Sequence, residues 1–262
     1  MIKDKLATII VVHGAFEHSG RYTYLVEKLQ RDGFHVVIHD LPGQGKSEGL
    51  KGHIRSFDDY LHKVKEWVKA ADPDLPVFLL GHSMGGLIVV RTLQKLGVTV
   101  DGVILSSPAF GILNGASKPM AALSRLLNFV WPSFRVNSTL QPESITTNPQ
   151  VIKRDHNDPL IIDKVSVRWY NEFQRSIKKA FKNVDKFPDV PLLVMQSGDD
   201  LVVDRLKTYQ WFHEVKTNEK NYKEWPGFYH ELFNEAEWQL PYMYLYNFVQ
   251  QQMTKHQTQR RD

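Results

Sequence analysis

The chain has 262 residues, 42% of them apolar and 24% charged, the balance of a soluble globular protein with one large core or a core plus an inserted cap. It has no cysteine, which excludes disulfides, thiolate metal sites and a cysteine nucleophile. Net charge is only +4, and no basic helix interleaved with aromatics points to nucleic acid.

The N-terminal residues Met1-Ile2-Lys3-Asp4-Lys5 run into a short apolar segment, Leu6 to Val12. It is too short to span a membrane and carries no signal-peptide cleavage pattern, so a cytoplasmic protein is expected. Its Ile and Val content suits a strand buried on both faces. A helix follows over Arg21 to Asp32, with Leu25, Val26 and Leu29 on one face and Gly33 as its cap. Phe34 to His39 is the next strand and leads into the turn-rich Asp40-Leu41-Pro42-Gly43-Gln44-Gly45-Lys46-Ser47. That loop contains G-K-S but lacks the glycine five before the lysine that a phosphate-binding loop requires. His35 and His39 share a strand face with no acid nearby, so no metal site is expected there. Ser56 caps a helix that carries Asp58 and Asp59 in its first turn and an apolar face of Tyr60, Leu61, Val64, Trp67 and Val68.

Pro76 to Leu80 then leads into Gly81-His82-Ser83-Met84-Gly85-Gly86 and an apolar helix ending near Gly97. Strand, G-x-S-x-G and helix together are the sequence form of a nucleophile elbow. The glycines leave room for a tight turn, and the serine is pushed out toward substrate. Val100 to Ser106 is the fourth strand. Four strands alternating with three helices argue for a parallel sheet.

Residues 110–185 break this rhythm. They are helical in composition, punctuated by Pro119, Pro132, Pro142, Pro149 and Pro159, and show no strand pattern. The expectation is a helical cap over the strand ends, inserted between core segments 1–109 and 186–262. Its dense apolar run, Leu123 to Phe134, reads as packing of the cap onto the sheet or as lining for an apolar substrate tail. Strands Val190 to Ser197 and Tyr222 to Trp225 complete the sheet, with helices over Asp204 to Val215 and Glu235 to Met253. The tail Lys255-His256-Gln257-Thr258-Gln259-Arg260-Arg261 reads as a solvated end, with transient contact to an anionic membrane surface as the alternative.

A serine hydroxyl needs a base to take its proton and a third group to hold that base. In a fold of this kind the chain order is Ser, then Asp or Glu, then His. His230, in the Pro-Gly turn after the last strand, is the expected base. Asp199, Asp200 and Asp204 compete for the acid. Asp204 reads as a helix cap, and Asp200 is favoured over Asp199 in part on the resemblance below. Oxyanion donors are expected from the backbone N–H of Met84 and from the loop His13-Gly14-Ala15, with Ala15 first and Phe16 second. His13 and His82 read as structural.

His13-Gly14-Ala15-x-Glu17-His18-Ser19-Gly20-Arg21-Tyr22, Asp40-Leu41-Pro42-Gly43-x-Gly45-x-Ser47 and Gly81-His82-Ser83-Met84-Gly85-Gly86 together resemble the monoacylglycerol lipase/lysophospholipase branch of the α/β-hydrolases. Ser166-Val167-Arg168-Trp169-Tyr170 resembles bacterial lysophospholipase-like carboxylesterases. The resemblance implies Ser83, Asp200 and His230 as a catalytic triad, Ala15 and Met84 as oxyanion donors, a helical lid and single-chain ester substrates. It also implies a structural ion pair between Glu17 and Arg21. The first strand begins almost at residue 1, so about six strands are expected where relatives often have eight.

The sequence therefore reads as a cofactor-independent serine hydrolase of carboxylic esters, such as monoacylglycerols, lysophospholipids or short-chain esters. A monomer or weak homodimer is expected. A thioesterase, an aminopeptidase-like amidase or a perhydrolase would use the same triad, and a non-catalytic binding protein would not need one intact.

Overall fold

The computed structural model describes residues 5–113, 115–138 and 140–259, the last four of these by backbone alone. The basic tail beyond Lys255 therefore lies outside the described side chains, while Lys255 itself pairs with Glu219 at 2.6 Å.

Six parallel strands form the sheet: β1 (Thr8–Val12), β2 (His35–Ile38), β3 (Val77–His82), β4 (Gly102–Ser106), β7 (Leu192–Ser197) and β8 (Lys220–Trp225). Their order is β2-β1-β3-β4-β7-β8, the expected sheet. The all-apolar strands divide by alternation. Ile9, Val11, Phe78, Leu80, Ile104, Leu193 and Met195 join one hydrophobic cluster, while Ile10, Val12, Leu79, Val103, Leu105, Leu192 and Val194 join the other.

Helices α1 (Thr23–Arg31) and α8 (Gln239–Gln259) cover the first of these faces through Leu25, Leu29, Leu245 and Val249. Helices α2 (Asp58–Lys69), α3 (Met84–Leu96) and α7 (Arg205–Glu214) cover the second. Every residue from Met84 to Gln94 is buried, because α3 lies between the sheet and further helices rather than at the surface. Several boundaries differ from expectation, among them β8, which begins at Lys220 rather than Tyr222, and α8, which runs over Gln239–Gln259 rather than Glu235 to Met253. A 3₁₀ turn over Ser19–Tyr22 precedes α1, and Phe57 stands at the start of α2, with Ser56 Oγ still accepting the Asp58 N–H at 3.2 Å. Asp204 does cap α7, accepting the Leu206 N–H at 3.0 Å.

Between β4 and β7 the chain leaves the sheet and forms α4 (Lys118–Val130), β5 (Arg135–Asn137), α5 (Pro149–His156), β6 (Lys164–Ser166) and α6 (Val167–Lys182). β5 and β6 pair antiparallel, which corrects the expectation of a segment without strands; three-residue strands are too short to show a period. The apolar run over 123–134 also behaves differently from the packing expectation. Helix α4 contributes no buried residue, and Leu126, Phe129 and Val130 are 63%, 88% and 73% exposed. The docking is done by α6, whose Trp169, Phe173 and Ala180 join the α3-side core cluster. No helix among the described residues is long and apolar enough to cross a membrane.

Candidate active site

The turn after β3 holds Ser83 at φ 52°, ψ −118°, a left-handed conformation that a side chain rarely adopts. Neighbouring glycines make this turn passable. A Cβ at Gly81 would stand 2.6 Å from the Gly85 carbonyl oxygen, and one at Gly85 would overlap the Val12 carbonyl oxygen of β1. Backbone bonds fix the elbow from both sides: Ser83 N–H donates to Ser106 O, and Ser83 O accepts from Gly86, Leu87 and Ala109. Ser83 thus sits at the start of α3, where the free N–H groups and the positive dipole end gather.

The loops after β7 and β8 bring two more of the expected residues to it. His230 Nε2 lies 2.8 Å from Ser83 Oγ, and His230 Nδ1 lies 2.9 Å from Asp200 Oδ2. An ionised Asp200 can only accept, so the imidazole proton sits on Nδ1 and Nε2 is left to accept from the serine hydroxyl. Asp200 is itself held: its Oδ1 accepts the N–H groups of Val202 and Val203, both at 2.9 Å, and Gln196 Nε2 donates to Oδ2 at 3.2 Å. Burial would raise the Asp200 carboxyl, but the adjacent His230 and these donors hold it below the usual carboxylate range. Burial would likewise lower His230, and the Asp200 charge overcomes it, so His230 stands above the ordinary imidazole value. Asp199 lies outside this array: it is exposed and accepts the Gly227 N–H at 2.9 Å.

The loop after β1 lies alongside. The Phe16 N–H donates to Gln44 Oε1 at 2.7 Å, with Phe16 at φ 69°, so this donor is occupied. The Ala15 N–H and Met84 N–H have no partner among the hydrogen bonds of the described residues. His13 is buttressing: Nδ1 donates to Gly14 O and Nε2 accepts the Leu41 N–H, both at 2.9 Å, and burial lowers its pKa. His82 is buried against the His230 ring, with Nδ1 3.2 Å from Ser106 O, and burial followed by the His230 charge lowers it to about 4.

Beneath this loop the expected Glu17–Arg21 pair exists at 2.5 Å, but it is part of a larger network. Arg21 also pairs with Glu231, the residue after His230, at 2.6 Å, and with Asp155 of α5. Glu17 Oε1 accepts the Gly14 N–H and the Tyr22 hydroxyl, and Arg21 outweighs burial to lower Glu17 to about 2. Glu17, His82 and Glu231 offer ligand atoms within 4.8 Å of one another. Both carboxylates are already paired with Arg21, so a cation there would have to displace a buried guanidinium. Sequence reading missed Glu231, Asp155 and Gln44. Only Gln44, inside the turn-rich loop after the second strand, and Glu231, next to the expected base His230, had any local signal.

The comparisons fit this geometry. A family model described as serine aminopeptidase, S33, matches residues 3–237. Phospholipase YtpA of Bacillus subtilis is 47% identical over 234 residues, spanning 88% of this chain and 90% of its own. Monoglyceride lipase of Rattus norvegicus is 31% identical over 238 residues, 87% of this chain and 77% of that protein. The crystal structure of Paleococcus ferrophilus monoacylglycerol lipase matches with a TM-score of 0.85 and 30% identity, covering 96% of each chain. The chain therefore belongs to the serine aminopeptidase S33 family, among its monoacylglycerol lipase-like α/β-hydrolases, and is a hydrolase of the carboxylesterase/lipase type.

Proposed function

We propose that the protein cleaves monoacylglycerols, lysophospholipids or short- to medium-chain esters through an acyl-enzyme on Ser83, with Asp200 and His230 completing the triad. The observation that carries this reading is His230 bridging Ser83 and Asp200 at 2.8 and 2.9 Å from three separate loops. His230 Nε2 takes the hydroxyl proton as Ser83 Oγ attacks the ester carbonyl carbon. The Ala15 and Met84 N–H groups receive the developing oxyanion. Collapse breaks the bond to the alcohol, which leaves with the proton from His230. Water then gives a proton to His230 and attacks the acyl carbon, releasing the acid and restoring Ser83. We assign 110–185 as the cap over this site and 1–109 with 186–262 as the core that builds it.

Ester specificity is supported by the lipase and phospholipase names of the relatives; the peptidase description of the family keeps amide cleavage as the second reading. The test is a panel of p-nitrophenyl esters of rising chain length, a monoacylglycerol, a lysophosphatidylcholine and an aminoacyl anilide, assayed with wild type and Ser83→Ala. Turnover of esters that falls at least about 10³-fold in Ser83→Ala is expected. Turnover of the anilide alone moves the assignment to a peptidase. Turnover that survives Ser83→Ala overturns the mechanism.

A further inference from the structure

The loop that carries His230 is tied down on both sides of that residue, and one of its ties is a buried carboxylate. Toward the acid loop, Phe228 O accepts the Asp199 N–H at 3.1 Å and the Ser197 hydroxyl at 2.7 Å. Just past the base, the Glu231 N–H donates to Ile145 O at 2.9 Å. Just before it, the Tyr229 N–H donates to Glu235 Oε1 at 2.9 Å. The same carboxylate accepts the Thr147 N–H on both oxygens at 3.1 Å, and the Thr147 hydroxyl on Oε2. Asn234 O accepts the Thr146 hydroxyl at 3.1 Å, across 88 positions of sequence. Ile145, Thr146 and Thr147, in the segment we assign to the cap, are thus fastened to the loop that places the base.

Glu235 is 3% exposed, yet it forms no ion pair among the described residues. A countercharge normally offsets the cost of burying a carboxylate, and here uncharged N–H and O–H donors stand in its place. What Glu235 supplies is therefore a pair of acceptor oxygens in fixed positions, shared between the residue before His230 and Thr147. An amide would serve nearly as well: its oxygen can keep both N–H groups while its nitrogen donates to Thr147 Oγ. We propose that Glu235, together with Ile145–Thr147, is a positioning residue that holds the His230 imidazole in register with Ser83 Oγ and with the departing alcohol. This rests on the triad reading above and adds to it a part played by the cap segment. His230 has two proton transfers to make during acylation, one from the serine and one to the leaving group. A loosened loop impairs both, and the second matters only where the leaving group needs a proton.

The test compares kcat/KM for the p-nitrophenyl and the ethyl ester of one fatty acid, since nitrophenolate leaves without a proton and ethanol does not. Glu235→Met keeps the volume and removes both acceptors. It should lose about tenfold on the aryl ester and about 100-fold on the ethyl ester, so that their ratio moves about tenfold. Glu235→Gln should recover most of that loss. Thr147→Val, at an exposed position, should move the ratio the same way by about threefold, and it carries the test alone if Glu235→Met does not fold. Far-UV circular dichroism and melting temperatures check the fold of each variant. A purely structural role lowers the melting temperature and the folded fraction but leaves the ratio at its wild-type value. That result overturns the proposal, as does a Glu235→Gln no better than Glu235→Met. Ser83→Ala and His230→Ala in the same assay keep the two readings apart. Activity that survives in either rejects the triad itself, whereas inactive triad variants beside an unmoved ratio reject the positioning role alone.

Discussion

A histidine that takes a proton from a hydroxyl must first be neutral. His230 sits beside the Asp200 carboxylate, which raises its pKa above the ordinary imidazole value in spite of burial. On the mechanism proposed here, kcat/KM therefore falls as pH drops through a value above 6.5, the protonated fraction of His230 growing on the acid side. Replacing Asp200 by Asn removes the charge that raises His230, so the acid limb moves to lower pH. The maximal rate should drop about 10³- to 10⁴-fold, because an amide can donate to Nδ1 and favour the wrong tautomer. A pH profile on a soluble p-nitrophenyl ester with both proteins checks this, and an acid limb that stays in place in Asp200→Asn rejects Asp200 as the partner. At this scale the sequence singled out the three side chains that the fold brings together but not the groups around them. Asp199 and Asp200 are adjacent in one turn, and only the fold separates a carboxylate over His230 from one that accepts Gly227 N–H. Asp155 reaches Arg21 across 134 positions, a distance at which no local pattern exists.

At the scale of elements, the elbow depends on backbone meeting backbone. Gly85 lies where any Cβ would enter the Val12 carbonyl oxygen, and neither α3 nor β1 can retreat, since both are buried on all sides. Gly85→Ala should therefore cost about 3 kcal/mol or more, or fail to fold. Gly49 is the internal comparison: its φ is +92° but no atom stands within 4 Å of an added Cβ. Gly49→Ala carries conformational strain alone, about 1 kcal/mol. Urea unfolding of the two variants measures the difference, and similar midpoints would show that close approach at the elbow is not what requires glycine. The elements themselves were readable where a period or a cap existed: the largely apolar strands β1, β3, β4 and β7, the glycine elbow, Asp204 ahead of α7. They were unreadable where neither did. The three-residue β5 and β6 have no period, and the leucines of α4 read as packing because composition does not say which way a helix faces.

For the molecule as a whole, the boundary we propose between cap and core is a boundary in sequence more than in packing. Trp169 of α6 lies 5.2 Å from the ring of Phe16 in the loop after β1, and its Nε1–H donates to Tyr60 of α2 at 3.0 Å. Ile162 N–H donates to Phe16 O at 2.9 Å, and Arg21 binds Asp155 of α5. Each buried aromatic of α6 contributes about 2–3 kcal/mol by leaving water, so α5 and α6 are committed to the same cooperative unit as the sheet. Helix α4 is committed to nothing comparable. It has no buried residue and is joined to α6 through Asn171. Local opening needs little energy where few apolar contacts break. Native-state hydrogen exchange should then divide the cap: amides of α6 should exchange with the slow core set that includes α3, while those of α4 should exchange at least about 10³-fold faster. Uniform exchange across α4 and α6 would make the proposed cap a single body, and the division argued here, one helix anchored and one loosely held, would fall with it.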